Sequence, residues 1–297
     1  MKNSQATGKT ASTIYYHEMA QEWLEYSEFR LKESSYQKYR GIMNKYLLPA
    51  FGVYQISQLT TSCVGEFLKH LRVTDLNRKG GKLSPQYINS ILTVFRETSY
   101  YSAARGCPFP CDFHYLSQKV EKRECAVFSH EESTRLVSYL LKDMDRSKMG
   151  ILLCFYTGMR LGELCALKWE DICLEDKLLK ISHTMQRLST TDSVSPRTKI
   201  IITEPKTPCS KREIPLPEFL LQMVRKFSCK EKEAFFLTGR TDKLVEPRVM
   251  QYRFLRYTKE CGIRSLNFHA LRHTFATQCV EMNFELKSLA KFSDIPA

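Results

Sequence analysis

Along the first third of the chain, hydrophobic residues recur at steps of three and four, the spacing of one helical face. A first helix is predicted to place on that face Tyr16, Met19, Ala20, Trp23, Leu24 and Phe29. Ser34 or Ser35 is a suitable cap for a second helix, because a serine hydroxyl accepts hydrogen bonds from the N–H groups of a first turn. Pro49 and Gly52 are predicted to end this second helix.

Two further helices continue this pattern. Thr60 or Thr61 is predicted to begin the third helix. Ser84 precedes Pro85, and proline is favoured at the first position of a helix, so the fourth helix is predicted to begin there. Four helices in this order are typical of a compact all-α module.

The composition divides the chain into four stretches. Residues 1–12 are rich in Ser, Thr, Lys and Gln and are predicted to be a disordered lead-in. Residues 13–117 form the predicted helical domain, and prolines within 106–112 interrupt its pattern near the end. Residues 118–125 are predicted to be a linker, and residues 126–297 a second domain.

The second half of the chain mixes two periodicities. Ser129 and Glu132 have the spacing of a capping box at the start of a helix. The alternation typical of strands follows at 178–181, 198–203 and 212–216, and later residues return to helical spacing. The chain is therefore predicted to be mainly α with a small antiparallel β-sheet (α+β).

The net charge adds information about partners. Lysine and arginine total 45 against 32 acidic residues, a formal net charge of +13. A cationic surface of this size favours a polyanion, either nucleic acid or anionic lipid, although solubility alone also explains it. No segment has the length and hydropathy of a membrane span, and the polar N-terminus lacks a signal-peptide core. A cytoplasmic protein is therefore predicted.

The sequence carries no sign of a cofactor. The 11 cysteines are scattered, and the close pair Cys107 and Cys111 has no matching Cys/His pair at zinc-ligand spacing. Reduced thiols and no metal site are predicted. No carboxylate cluster indicates a two-metal nuclease, and no glycine-rich loop indicates a nucleotide site.

Three side chains that suit an anionic phosphate lie on two separate segments. Arg160 follows Gly158 in the first segment, and His269 and Arg272 share the second at a spacing of three, which is one helical face. Arginine keeps its charge and offers a planar fork of donors, whereas imidazole titrates near neutral pH. Convergence of these segments through folding predicts a phosphate site.

Four motifs occur in the order found in one known family. They are Thr-Gly-Met-Arg-Leu-Gly-Glu-Leu at 157–164, Leu-Lys-Trp-Glu-Asp-Ile at 167–172, Lys206 followed by Ile-Pro-Leu-Pro at 214–217, and His-Ala-Leu-Arg-His-Thr-Phe-Ala-Thr at 269–277. With these motifs and its helical first half, nearly the whole chain resembles the tyrosine recombinases, the phage-integrase-like enzymes. The resemblance implies a helical core-binding domain followed by a catalytic domain.

The resemblance also implies a role for each matching residue. Arg160 and Arg272 are expected to clamp the non-bridging oxygens of a scissile phosphodiester, with support from Glu163. His269 is expected to act as acid or base and to help bind the phosphate. Lys206, at the tip of a β-hairpin, is expected to donate a proton to the leaving 5′ oxygen. The implied chemistry is transesterification through a 3′-phosphotyrosine, with neither metal nor ATP.

Each of these roles has a structural alternative. Taken alone, an arginine at a helix start is usually a surface residue, and a histidine is usually packed against its neighbours. Most turn lysines are simply solvated, and Lys199, Lys211 and Arg212 compete with Lys206 for its role. His273 is predicted to face away from the site and to pack or cap.

The tyrosine nucleophile of the resembling family has no counterpart in this sequence. In the family it lies a few helical turns beyond the arginine that matches Arg272, after a Gly-His turn, whereas residues 293–297 read Ser-Asp-Ile-Pro-Ala. Tyr252 and Tyr257 precede His269, so no nucleophile is assigned. Three explanations stay open: a truncated or frameshifted gene product, a fragment of a longer enzyme, and a tyrosine supplied in trans.

Two functions are compatible with these observations. The first is a site-specific recombinase or integrase of a mobile element, which as this chain binds DNA but is inactive alone. The alternative is a non-catalytic DNA-binding protein that occupies recombination or promoter sites. The predicted partners are double-stranded DNA and, on DNA, further copies of the chain, with no membrane and no nucleotide. The predicted DNA contacts of the first domain are Arg30, Lys32, Lys38, Arg40, Lys45, Arg78, Lys79 and Lys82.

Overall fold

The computed structural model describes five stretches of the chain: residues 14–74, 81–121, 125–189, 198–205 and 211–283. The chain divides into two compact units, residues 1–122 and 123–297. Each unit has its own hydrophobic core. The finer domain bounds of the sequence analysis, including a linker at 118–125, stay predictions. Within the described stretches, no helix is long and apolar enough to cross a membrane.

Helices build the first unit. In chain order they are α1 (Tyr16–Arg30), α2 (Glu33–Ile42), α3 (Leu48–Phe51), α4 (Thr61–Val73) and α5 (Pro85–Ala104), with a π-helical turn at Met43–Leu47 and a 3₁₀ turn at Ile56–Gln58. Hydroxyl caps begin α4 and α5, as predicted. The Thr60 side chain accepts a hydrogen bond from the backbone N–H of Cys63, and the Ser84 side chain accepts one from that of Tyr87.

The predicted start of the second helix is wrong, whereas the helical path that continues from it does end before Gly52, as predicted. Lys32 precedes α2 in an extended conformation and its carbonyl closes the first turn, so Ser34 and Ser35 lie inside the helix. The helical path also continues beyond α2 through the π-helical turn. Pro49 stands at the second position of α3, directly after the π-helical turn, and Gly52 follows the last residue of that helix.

Aromatic rings fill the core of the first unit. The Phe95 ring centroid lies 5.4 Å from that of Tyr16 and 5.0 Å from that of Phe51, and Phe51 lies 4.8 Å from Phe67. The buried Tyr16 hydroxyl donates to Sδ of Met43 at 3.4 Å. Because offset and edge-to-face ring pairs add to the free energy of burial, this cluster ties α1, α3, α4 and α5 together.

The described part of the second unit contains six helices and five short strands. The helices are α6 (His130–Leu141), α7 (Arg146–Thr157), α8 (Leu161–Ala166), α9 (Glu218–Arg225), α10 (Pro247–Glu260) and α11 (Ala270–Glu281). The strands are β1 (Ile172–Cys173), β2 (Leu178–Ile181), β3 (Thr184–Ser189), β4 (Thr198–Thr203) and β5 (Arg212–Pro215). This mainly helical architecture with small antiparallel sheets confirms the predicted fold class.

The strands of the second unit pair in a nested, antiparallel arrangement. β2 lies between β1 and β5, and Ile181 of β2 stands opposite Arg212 of β5. β3 pairs with β4, and Thr184 stands opposite Thr203. β3 was not predicted from the sequence, because its polar composition hides its alternation.

The nested pairing corrects the predicted setting of Lys206. β4 and β5 pair with β3 and β2 rather than with each other, so the hairpin that was predicted to carry Lys206 at its tip is wrong. Residues 182–183 alone separate β2 from β3, whereas residues 204–211 separate β4 from β5. Lys206 falls in the segment between β4 and β5, outside the described residues.

An ion pair fixes the start of α6 to the segment before α11. The predicted capping box is present: the Ser129 hydroxyl accepts from the Glu132 N–H at 3.2 Å, and Glu132 Oε2 accepts from the Ser129 N–H at 2.9 Å. Arg264 donates to both carboxylate oxygens of Glu132, from Nε and from Nη2, each at 2.7 Å. The hydrogen bonds from Arg264 outweigh burial and lower the pKa of Glu132 to about 2.

Candidate active site

A sharp turn between α7 and α8 presents Arg160. Gly158 ends α7 with a φ of 64°, and its N–H donates to the Cys154 carbonyl at 2.9 Å. A Cβ at this position would lie 2.5 Å from Cδ1 of Phe275 in α11. Both the left-handed backbone and this close neighbour therefore require glycine. Arg160 then adopts an extended conformation immediately before α8.

Glu163, in the first turn of α8, holds both the backbone and the side chain of Arg160. The Arg160 N–H donates to Oε2 at 2.8 Å, and Nη1 of its guanidinium donates to Oε1 at 3.1 Å. Burial opposes ionisation of this carboxyl, but hydrogen bonds and charge from Arg212 and Arg160 outweigh it and hold the pKa of Glu163 below its ordinary value. Glu163 is therefore a buried carboxylate at neutral pH.

Arg212 completes the bonding of this carboxylate from β5. Its Nη1 donates to Oε1 of Glu163 at 3.1 Å and its Nη2 donates to Oε2 at 2.8 Å. The Arg212 side chain is 4% exposed and that of Glu163 is 3% exposed. The sequence analysis treated Arg212 only as a competitor of Lys206. The alternation of residues along β5 is the signal that indicates burial of Arg212, because Arg212 shares the buried face of this strand with Ile214.

Arg272, in the first turn of α11, reaches back to the turn that presents Arg160. Its Nη1 donates to the carbonyl of Gly158 at 2.6 Å, and the residue is buried. Phe275, one turn further along α11, packs against Gly158. One hydrogen bond and one ring contact therefore bring Arg272 into the same region as Arg160.

His269 lies directly before α11 and meets a second histidine. Its ring packs edge-to-face on that of His273, with centroids 4.6 Å apart. The prediction that His273 packs agrees with this contact, and His273 is not among the residues that line the cavity of the site. Burial lowers the pKa of His269 below its ordinary value, and the charges of His273, Arg272 and Arg160 lower it further. A neutral imidazole is therefore favoured at neutral pH.

A cavity of about 300 Å³ brings these groups together. Its lining residues are Met159, Arg160, Leu161, Gln251, Asn267, Phe268, His269 and Arg272. Three of the residues predicted to be catalytic therefore line one cavity, and Glu163 bonds to one of them from behind. The lining carries two guanidiniums and no carboxylate, which suits an anionic ligand. The amides of Gln251 and Asn267 escaped the sequence analysis, because single amides in polar segments carry no pattern.

The lysine candidates are only partly described. Lys206 lies outside the described residues. Of its competitors, Lys211 pairs with Glu204, with 2.8 Å between Nζ and Oε1. Lys199 is exposed on β4, opposite Leu188 of β3. The assignment of Lys206 as proton donor therefore stays a prediction.

The described cations of the first unit lie at its surface. Arg78 and Lys79 fall outside the described residues, and Arg40 is half-buried. Arg30 approaches Glu97 with 3.8 Å between Nη2 and Oε2, and Lys45 Nζ lies 4.9 Å from the ring centroid of Tyr46. Of the predicted contacts, those that are exposed are Arg30, Lys32, Lys38, Lys45 and Lys82. Their predicted contacts with DNA stay predictions.

Comparison with known proteins identifies the family of this chain. The profile of the Phage integrase family matches residues 126–294, and that of the Phage integrase, N-terminal SAM-like domain matches residues 16–72. The chain belongs to the phage integrase family, and the predicted membership of the tyrosine recombinases is confirmed.

Two curated relatives illustrate the range of similarity. A "Tyrosine recombinase XerC-like" protein of Caldanaerobacter subterraneus is 28% identical over 190 residues, which cover 59% of this chain and 48% of that protein. The "ICEBs1 integrase" of Bacillus subtilis is 22% identical over 262 residues, covering 83% of this chain and 66% of the relative. The chain thus spans about half the length of the first relative and about two thirds of the second.

Solved structures share the fold at low sequence identity. The Tn1549 transposon integrase in complex with a circular intermediate DNA superposes with a TM-score of 0.72 at 19% identity, over 95% of this chain and 91% of the other. A lambda integrase dimer bound to a COC′ core site gives a TM-score of 0.65 at 15% identity, with 96% of each chain covered. At these identities the comparison establishes the fold.

Proposed function

We propose that this chain binds duplex DNA and activates one phosphodiester as part of a site-specific recombinase of a mobile element. The observation that carries the proposal is the convergence of Arg160, His269 and Arg272 on one cationic cavity. Relatives named as integrases and recombinases, and similar structures that contain DNA, support the same class. Copies of the chain are expected to assemble on DNA.

The cavity has the groups that displacement at a phosphodiester needs. As a hydroxyl attacks phosphorus and the 5′ oxygen leaves, negative charge grows on the two non-bridging oxygens. Arg160 and Arg272 offer fixed forked donors for that charge. His269, whose pKa is lowered, is neutral and able to accept the proton of the attacking hydroxyl. Lys206 is our candidate for protonating the leaving oxygen.

The identity of the attacking hydroxyl limits what this polypeptide does alone. No tyrosine follows Tyr257 in the 297 residues. A covalent 3′-phosphotyrosine therefore needs a tyrosine from outside these residues, either further along the same polypeptide or on another subunit. The alternative function is a DNA-binding protein that occupies recombination or promoter sites without cutting them, and the cationic cavity supports its binding to DNA equally.

DNA binding is tested first with duplexes selected from a random pool by the purified chain. We expect affinity to fall steeply as salt rises, because phosphate contacts release counterions. Arg160→Ala is expected to weaken binding about tenfold, since a charge-assisted hydrogen bond is worth about 1.5–3 kcal/mol. The matched control is Arg225→Ala, an exposed arginine at the end of α9, which should bind as the unmodified chain does. A DNA affinity that changes neither with salt concentration nor with Arg160→Ala would contradict the proposal.

Strand cleavage is tested with the selected duplex nicked to trap a covalent product. Denaturing electrophoresis of the mixture is expected to show no protein–DNA adduct for the 297-residue chain. A shifted covalent band would overturn the part of the proposal that concerns the nucleophile. If DNA binds but Arg160→Ala has no effect, the non-catalytic alternative is favoured.

A further inference from the structure

We propose that Arg212 is a positioning residue that, through Glu163, holds the guanidinium of Arg160 in the phosphate cavity. The inference rests on the proposed function, because it assigns a task to a residue behind the same site. Arg212 itself is not among the residues that line the cavity.

The bonding of Glu163 is shared equally between the two arginines. Oε1 accepts from Nη1 of Arg160 and from Nη1 of Arg212, each at 3.1 Å. Oε2 accepts from the backbone N–H of Arg160 and from Nη2 of Arg212, each at 2.8 Å. The carboxylate is therefore a bridge with one arginine on each side.

The two sides of this bridge differ in freedom. The Arg212 side chain is 4% exposed, and β5 fixes its backbone by pairing with β2 opposite Ile181. The Arg160 side chain is 35% exposed, and the residue itself lies just before α8, a helix of only about two turns. Because the buried fork of Arg212 meets both oxygens, it sets the plane of the carboxylate. The fixed plane in turn selects one direction for the flexible Arg160 side chain.

Stability alone gives a weak reason for this buried pair. Two charges lose their hydration when they are buried, and well-packed apolar side chains of similar volume often replace such a pair at no cost in stability. What apolar side chains cannot replace is the ionised acceptor for Arg160. We therefore expect loss of Arg212 to affect the cavity even in a variant that folds normally.

Removal of Arg212 is also expected to create a pH dependence. The hydrogen bonds of Arg212 are the largest influence that keeps the pKa of Glu163 low against the effect of burial. Without them, burial raises that pKa and favours the neutral acid, which holds a guanidinium less strongly. DNA affinity of such a variant should rise with pH as Glu163 ionises. Among the described residues, Arg160 also faces Glu163, and so does the buried thiol of Cys154, whose pKa is raised by burial and further by the charge of Glu163. The unmodified chain should lack this dependence.

The test is a double-mutant cycle between Arg160 and Arg212, read as affinity for the selected duplex at fixed salt. We expect Arg212→Met to weaken binding about tenfold, as Arg160→Ala does, because each removes the same oriented contact. The variant with both changes should bind no worse than either single variant. The matched control Arg225→Met should leave affinity unchanged.

Variants of the pair separate positioning from folding. Glu163→Gln combined with Arg212→Met leaves no buried charge unpaired, so it should unfold at the same denaturant concentration as the unmodified chain. It should still bind about tenfold more weakly and show no pH dependence. Arg212→Lys, which keeps the charge but loses the fork, should recover part of the affinity.

Each failure has its own meaning. If Arg160→Ala has no effect on binding, the proposed function fails. If Arg160→Ala weakens binding but the folded Glu163→Gln, Arg212→Met variant binds like the unmodified chain, the positioning role of Arg212 is wrong and the proposed function stands. Additive losses from Arg160 and Arg212 also contradict the positioning role.

Discussion

The two units of this chain differ in their buried charges: both have exposed ion pairs, but among the described residues the almost completely buried pair lies in the second unit. In the first unit, the ion pairs Arg30–Glu97 and Arg105–Glu22 leave between a third and three fifths of each side chain exposed. In the second unit, Glu163 and Arg212 are almost completely buried, and Glu132 is buried beneath Arg264. Exposed pairs contribute little to stability and leave their cations available, whereas buried ones fix the position of every atom they bond.

The comparison separates two tasks within one proposed function. Exposed cations on a core of packed rings suit contacts with phosphates that need charge but no fixed geometry. A buried network suits a site where two guanidiniums and an imidazole must be held at one phosphodiester. Substitutions of single residues should therefore act through apolar packing in the first unit and through backbone and charge in the second.

Truncation of the aromatic core is expected to give the largest change. Phe95→Ala removes a ring that contacts Tyr16 and Phe51, and should lower the free energy of unfolding of the first unit by about 3–5 kcal/mol. Trp23, buried in this unit, reports its unfolding in urea when Trp169 is replaced by phenylalanine. A loss below about 1 kcal/mol would show that the rings do not hold the unit together.

A smaller loss is expected from a single methyl group at the turn before Arg160. Gly158→Ala forces a left-handed residue at about 1–2 kcal/mol and presses a Cβ against Phe275, so about 3 kcal/mol in total is expected. Urea unfolding followed by Trp169 fluorescence, in a Trp23→Phe background, measures it. The matched control is Gly41→Ala in α2, where a Cβ meets no atom within 4 Å. That control should be neutral or stabilise the chain, and equal effects at both glycines would refute the argument.

The smallest change in the free energy of unfolding is expected at Glu132, a buried carboxylate that is compared with the exposed Glu22. Glu132→Gln should lower the free energy of unfolding by about 2 kcal/mol at pH 7, because it loses charged hydrogen bonds from Arg264. The pKa of Glu132 is depressed to about 2, so its contribution is complete above the ordinary carboxyl range and is lost as pH falls toward 2. Urea unfolding at several pH values should therefore show a shallower acid dependence for Glu132→Gln.

The control for this third prediction comes from the first unit. Glu22→Gln breaks the exposed pair with Arg105 and should change stability by less than about 0.5 kcal/mol at any pH. If the two carboxylates behave alike, the contrast between surface and buried charge is not a property of this molecule.

Features encoded by neighbouring residues were predictable from the sequence. The hydroxyl caps at Thr60 and Ser84 and the capping box of Ser129 and Glu132 depend on residues three apart, and all are present. The site motifs around Arg160 and Arg272 are likewise short. The family resemblance carried the fold class because several such motifs occur in one order.

Features set by distant pairing were not predictable in the same way. β3 has a polar sequence and is defined by its partner β4, and the pairing of β4 and β5 with different strands follows only from two separate registers. The burial of Arg212 depends on which face of β5 meets α8. A charged residue in a short strand gives no local indication that it will be buried in contact with a carboxylate from another element.

The hydrogen bond from Arg272 to the Gly158 carbonyl joins residues that are 114 positions apart. During synthesis, the turn that bears Arg160 leaves the ribosome long before α11 exists to complete it. Until α11 docks, the nascent chain carries the cationic turn without its second guanidinium or its imidazole. The cavity lined by Arg160, His269 and Arg272 is therefore complete only after α11, the last described helix, has docked on the turn.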